Sequence, residues 1–357
     1  MKRIDILTSS VTKPSLRALM IGMVLLTAAF AVARTPPGPT PMVDADGLFE
    51  LGGTQNADIR GDGLAATGPD WAPQDDILNL DGIFDANGDI IDLHGGVAAT
   101  FIMDDLSQKG PLDRTTFSGA GGSNKNNDAL SDWHWDSGNV PAKDDISNAY
   151  AYAIVVEEGG VDHLILYAGF ERIFENGDSH IDIEFFQDLV SLDEAVPCND
   201  PGPDTTPCDW LGSRNVGDVI ISMDFLNGGG FGTMSIREWD GTQYVLDATL
   251  TGEGCILSDA VCGYNNGGNI DGGPWPNYNR HGSLVTTLPR NAFTEIGVDV
   301  TAVLGETPCL STVLGKTRSS QSFTAELKDY AGPAPFNICG ASFQKGFFLS
   351  RLPYLAR

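Results

Sequence analysis

A chain of 357 residues that sets 48 acidic side chains against 21 basic ones carries a formal net charge of −27 at pH 7. Such a surface repels phosphate backbones, which excludes nucleic acid as a partner. The chemistry it offers instead is that of clustered oxygens, which suits a hard cation such as Ca²⁺, or simply a solvated acidic surface.

The first 33 residues read as an export signal. Lys2, Arg3, Lys13 and Arg17 form a positive n-region, Ala18–Val32 is apolar, and Ala31-Val32-Ala33 supplies an A-x-A cleavage site. The apolar run is short of the about 20 residues that a membrane helix needs, and an uncleaved signal anchor is the other reading. Removing the segment's four bases and its single acid leaves 17 basic against 47 acidic residues, with no later run able to span a bilayer. Residues 34–41 are a Pro-rich linker, 42–340 a single β domain and 341–357 a C-terminal tail. The expected location is secreted, extracellular or at the cell surface.

Within the domain, Gly47–Gly52 reads as a short strand and Gly53–Asp76 as loop. Ile77–Leu80 and Ile90–Leu93 are brief apolar pieces. Between them Asp85, Asn87 and Asp89 place oxygens like the start of an EF-hand loop, although Gly88 sits at the fourth place rather than the sixth and Gly96 takes the place of the closing Glu. These three are the candidate Ca²⁺ ligands; a plain Asp/Asn/Gly turn is the competing reading. Val97–Met103 is a strand and Pro111–Asn127 a loop. Trp133 and Trp135 share a strand face, either as a sugar-stacking platform or as core.

Ile146–Val156 pairs with Leu164–Phe170 through Gly159-Gly160. Leu164–Phe174 and His180–Phe186 flank Glu175-Asn176-Gly177-Asp178, a β-hairpin signal. In the second run His180, Asp182 and Glu184 fall on one face and Ile181, Ile183 and Phe185 on the other, because strand side chains alternate. The polar triplet is the candidate ligand-binding face; the competing reading is a hydrogen-bonded polar face with no ligand, in which Arg172 on the preceding strand is the ion partner. Strands follow at Val216–Asn227, Thr233–Trp239, Thr242–Leu250 and Ala292–Asp299, around an irregular Glu253–Arg280. Thr301–Lys316 has helical spacing, and Phe323–Lys328 is a last strand. Many short strands with Gly, Pro and Asn turns give an all-β fold: an antiparallel β-sandwich, jelly-roll and concanavalin-like, with long loops and one short C-terminal helix.

All six cysteines lie in the exported part, which argues for disulfides in an oxidising compartment. Six allow 15 pairings. Closeness in sequence favours Cys198–Cys208 and Cys255–Cys262, leaving Cys309–Cys339.

Lys143–Ala151, Asn176–Gln187, Val216-Gly217-Asp218 with Asp224-Phe225, and Lys316–Ser322 with Ala325–Tyr330 together resemble a family of large secreted or surface β-sandwich proteins of bacteria. The resemblance spans roughly Phe49 to Cys339 and brings no catalytic residue with it. His180-Ile181-Asp182-Ile183-Glu184 also looks like the E-x-D-x-E strand of laminarinase-type glycoside hydrolases, where the first Glu is nucleophile and the last is acid/base. Retaining hydrolysis needs two carboxyls about 5 Å apart, and here His180 stands in the nucleophile's place. Two functional readings follow. One is an exported non-catalytic binding or structural module, which binds a glycan or another surface protein, with Ca²⁺, or serves as a matrix component with no small ligand. The other is a glycan hydrolase or lyase working through Asp182 and Glu184, with Trp133 or Trp135 as platform.

Overall fold

β-Branched and aromatic runs punctuated by Gly, Pro, Asn and Asp produce strands and turns nearly throughout. A computed structural model describes residues 43, 49, 51, 57–60, 70–74, 82–106, 113–118, 124–175, 177–193 and 208–338. The export signal, the Pro-rich linker, the piece at 77–80, Cys198, Cys339 and the tail lie outside the described residues. Of Gly47–Gly52 only Phe49 and Leu51 are described, both buried and in turns.

In chain order the strands are β1 (Ala98–Met103), β2 (Asp113–Phe117), β3 (His134–Gly138), β4 (Ile146–Glu158), β5 (Val161–Arg172), β6 (His180–Phe186), β7 (Ser191–Leu192), β8 (Cys208–Leu211), β9 (Val219–Phe225) and β10 (Phe231–Trp239). They continue as β11 (Tyr244–Thr251), β12 (Gly254–Ile256), β13 (Val261–Asn265), β14 (Ile270–Asp271), β15 (Asn277–Tyr278), β16 (Leu284–Val285), β17 (Thr287–Leu288), β18 (Phe293–Asp299), β19 (Thr312–Arg318) and β20 (Leu327–Pro335). Six form one antiparallel sheet in the order β1-β4-β5-β18-β13-β12. Ten form a second, β11-β10-β9-β6-β19-β20-β2-β3-β8-β7, and two short ribbons complete the set. The molecule is an all-β antiparallel sandwich.

Alternation along each strand sets the layers. Ala149, Ala151, Leu166 and Phe170 of the six-stranded sheet meet Ile181, Ile183, Phe185, Ile221 and Met223 of the ten-stranded sheet in the main core. Each Leu, Ile, Met or Phe side chain so removed from water contributes about 1.5–3 kcal/mol. The opposite faces are covered too. Tyr150, Tyr152, Tyr167 and Phe293 pack under Phe49, Trp71, Phe84 and Trp275, and Phe186, Leu314 and Tyr330 under Phe117, Trp133, Trp135 and Trp210.

The β4–β5 hairpin forms as its sequence predicts, with Gly159 (φ 60°) and Gly160 (φ 85°) supplying the two positive φ values of a tight turn. The hairpin expected between β5 and β6 does not form. β5 is paired on both edges by β4 and β18, and β6 on both edges by β9 and β19. The chain between them crosses from one sheet to the other, and Gly177 does not adopt the left-handed backbone that an Asn-Gly hairpin turn requires.

The helix expected over Thr301–Lys316 is one turn, α1 (Val300–Leu304), with Asp299 Oδ1 accepting the Ala302 amide at 2.9 Å as its N-cap. Pro308, which has no amide to donate, follows, and Val313 and Leu314 belong to β19. The last strand begins at Leu327 rather than at Phe323, which instead packs from a loop against the Tyr244 ring. Cys255 and Cys262 are joined across β12 and β13 as expected. Cys208 and Cys309 are also disulfide-bonded.

Candidate functional site

Strand register places the polar triplet. β6 lies between β9 and β19, so Asp182 stands opposite Ser222 and Lys316, and His180 opposite Asp224. Because Lys316 and Arg318 are two apart on β19, both fall on the same outward face as Asp182 and Glu184. The face is therefore a set of acids interleaved with bases. Arg214, from the loop before β9, enters it as a third cation.

Each charge has partners. Arg318 Nε lies 3.0 and 2.9 Å from the two oxygens of Asp182, and Arg318 Nη2 lies 2.8 Å from Asp224 Oδ1. The remaining Arg318 donor, Nη1, bonds the carbonyls of Ser320 and Ser322 and so folds the Ser319–Ser322 loop over the site. Asn126 Nδ2 donates to Asp182 Oδ2 at 2.7 Å. Glu184 receives Arg214 Nε and the Tyr244 hydroxyl, each at 2.5 Å, and Lys316 Nζ on its other oxygen. Lys316 and Arg214 lie over the Trp133 ring at 4.5 and 4.7 Å. His180 Nδ1 bonds Asp224 Oδ1 at 2.9 Å.

The electrostatics follow from this crowding. Burial would push the Glu184 carboxyl up, but Arg214 and Lys316 overcome it and hold it below its usual range. Burial likewise opposes ionisation of Asp224, and His180 and Arg318 more than offset it. Lys316 is brought down to about 8, chiefly by burial, against the pull of Glu184. The result is a closed, internally neutralised network.

The expected open ligand face is thus absent. His180, Asp182 and Glu184 are each 0 % exposed, sealed by Asn126, Arg214, Tyr244 and the Ser319–Ser322 loop. Trp133 and Trp135 are buried beneath Phe117 and Trp210 and present no stacking surface. Arg172 is not the triplet's ion partner. Being in the other sheet, it donates to the carbonyls of Gly229 (3.1 Å) and Asn291 and lies 3.8 Å over the Phe225 ring. Burial lowers it to about 9, against the weaker pull of Glu175.

Asp85, Asn87 and Asp89 form a turn closed by Asp85. Its Oδ1 accepts the amides of Asn87 (2.8 Å) and Asp89 (3.0 Å), while Asn87 and Asp89 are exposed. Among the described residues, the acidic groups gathered closely enough to hold a cation are Asp113, Asp145 and Asp329, with one oxygen of each within 4.8 Å of the others. All three are buried. They come from β2, the turn before β4 and β20, so no local motif announces them; only the fold brings them together. A second buried carboxylate, Glu171, is satisfied by Asn148 (2.8 Å), Trp275 (2.8 Å) and the Tyr150 hydroxyl.

No protein-family model, curated protein or solved structure matches this chain.

Proposed function

We propose that the protein is an exported, non-catalytic β-sandwich that serves as a binding or structural module outside the cell or at its surface. One observation carries the reading: Glu184, the residue in the acid/base place of the laminarinase-type strand, is clamped between Arg214 and Lys316 with no exposed surface. A general acid must hold a proton near the working pH and reach the glycosidic oxygen. Glu184 is kept ionised and walled off, and the nucleophile's place is held by His180, which is committed to Asp224. The N-terminal export pattern, the disulfide-bonded cysteines 208, 255, 262 and 309 and the acidic composition support the extracellular part of the reading. The resemblance to secreted and surface proteins of bacteria agrees with it. The partner that suits these features is another surface component, a protein or a glycan, met on a face other than that of His180, Asp182 and Glu184.

The test is incubation of the purified protein with a panel of β-glucans and other polysaccharides, alongside a folded Glu184→Gln variant. No release of reducing ends by either is expected. Cleavage by the wild-type chain that disappears in the variant overturns the reading. Export is tested by N-terminal sequencing of the protein recovered outside the cell, which should begin at Arg34.

A further inference from the structure

Asp113, Asp145 and Asp329 meet between the two sheets. Asp113 opens β2 and Asp329 lies on β20, both in the ten-stranded sheet, whereas Asp145 directly precedes β4 of the six-stranded sheet. The sheets are stitched here by the Ile146 amide, which donates to Asp329 Oδ2 at 2.9 Å. Within the six-stranded sheet the Asp104 amide continues the β1–β4 ladder by donating to the Ser147 carbonyl at 3.0 Å. Asp104 follows β1 and adds a fourth carboxyl beside the three.

The oxygens left over point to a ligand. Asp329 is 0 % exposed, yet its Oδ1 accepts no hydrogen bond; Asp104 is 7 % exposed, and its Oδ2 accepts none. A buried acceptor without a donor costs about 1–3 kcal/mol, and more when it is charged. Asp113 Oδ1 takes both the Thr115 amide (2.8 Å) and the Thr115 hydroxyl (2.6 Å). Like charges this close in a dry site cannot all persist unless protons or a cation neutralise part of them. The charges that act most on Asp329 are those of Asp104, Asp113 and Asp145, all of the same sign.

We propose that Asp113, Asp145 and Asp329, with Asp104 at the rim, form a Ca²⁺ site that pins the two sheets together. The donors are all oxygen, with no His or Cys among them, which selects a hard cation. Several carboxylates from separate segments of the chain suit the larger, flexible coordination of Ca²⁺ better than the rigid, water-retaining shell of Mg²⁺. An open groove of about 660 Å³, lined by Asp104, Thr115, Ser191, Leu192 and Gly332 among others, reaches the rim of the cluster at Asp104. The site is independent of the non-catalytic reading and shares no residue with the Asp182/Glu184 network.

The test uses the full chain, stripped with EDTA and titrated with CaCl₂ by calorimetry, with thermal melts run in EDTA and in CaCl₂. One Ca²⁺ per chain and a higher melting point in CaCl₂ are expected, since a ligand of the folded state alone stabilises it by mass action. Asp145→Asn and Asp329→Asn should abolish the binding heat and the Ca²⁺-dependent shift. Should either variant fail to fold, Asp104→Asn, with its side chain at the rim, should weaken Ca²⁺ by at least about tenfold. Asp89→Asn, in the exposed turn, should bind as the wild type does. The proposal is overturned if millimolar CaCl₂ produces neither heat nor a shift. Binding that survives Asp104→Asn and Asp329→Asn but vanishes in Asp89→Asn overturns it equally.

Discussion

Arg318 and Asp182 are a buried ion pair in which one guanidinium nitrogen, Nε, reaches both carboxylate oxygens, at 3.0 and 2.9 Å. Exposed pairs contribute about 0–1 kcal/mol, but removing one member of a buried pair strands the other charge and costs about 3–5 kcal/mol. Arg318→Ala strands Asp182 and Asp224 together and releases the carbonyls of Ser320 and Ser322. It should therefore destabilise the protein by at least about 3 kcal/mol in urea unfolding. The double replacement Asp182→Leu with Arg318→Met should cost clearly less than the sum of its single changes, because both desolvated charges leave together. Additive costs would mean that the pair is not coupled.

Glu184→Gln is the second test of the same network. It takes away the carboxylate shared by Arg214 and Lys316 and leaves two cations facing each other over the Trp133 ring. A loss of about 3 kcal/mol in chemical denaturation is expected. Adding Lys316→Met to Glu184→Gln should return part of that loss, since Lys316 then no longer lies buried as an unmatched charge. A catalytic carboxylate behaves in the opposite way, because its replacement commonly relieves strain. A Glu184→Gln variant more stable than the parent would count against the structural role assigned here.

Gly229 ties the β9–β10 turn to the crossover that replaces the expected hairpin. Its φ is +81°, its carbonyl accepts Arg172 Nη2 and Asn265 Nδ2, and a Cβ on it would lie 1.7 Å from the Glu175 carbonyl oxygen. Gly229→Ala should cost about 1–2 kcal/mol from the left-handed backbone and about 1–3 more from the overlap with main chain. Its neighbour Gly228 has φ +99° but open space around its Cβ position, so Gly228→Ala should cost only the backbone part. Equal melting points for the two variants would show that the contact with Glu175 carries no energy.

The layers of this fold were legible because alternation is a local property. Ile181, Ile183 and Phe185 point inward, and β4–β5 closes over Gly159-Gly160, as the residues alone indicate. Pairing between strands was not legible. Nothing in Glu175–Asp178 reveals that β5 and β6 already have two neighbours each, so a turn signal was read as a hairpin. The polar face of β6 was correctly assembled and wrongly exposed. The missing signal was on another strand: Lys316 and Arg318 repeat every two residues just as Asp182 and Glu184 do, and basic alternation of that kind on an otherwise apolar strand marks a facing acidic one. Asp113, Asp145 and Asp329 had no such signature, because their proximity depends on two sheets meeting.

That acidic meeting point should reverse the usual response to mild acid. Asp104 and Asp329 are pushed well above the ordinary carboxylate range, first by burial; Asp113 and Asp145 raise both further, and Asp104 itself raises Asp329. Burial also lifts Asp218 to about 6, and lifts Asp144 to about 6 against the pull of Lys143, His180 and Lys328. A carboxyl with a raised native pKa holds its proton more tightly folded than unfolded, so its stabilisation is complete below the usual value of 3.8 and is lost as pH rises through the native one. For Asp144 and Asp218 that window runs from about 4 to about 6, and for Asp104 and Asp329 it extends higher. Glu184 and Asp224 have depressed values and the opposite sign, but their contribution is lost only below the ordinary carboxylate range. In EDTA the urea midpoint should therefore fall from pH 5 to pH 8. Ca²⁺ takes the place of the protons at the cluster, so saturating CaCl₂ should flatten the decline, and binding at pH 6 should release protons, seen as a dependence of the calorimetric heat on buffer ionisation enthalpy. Asp329→Asn should flatten the EDTA curve without Ca²⁺, because an amide has no proton to lose. A midpoint in EDTA that climbs from pH 5 to pH 8 would show that these carboxyls are not held protonated by the fold.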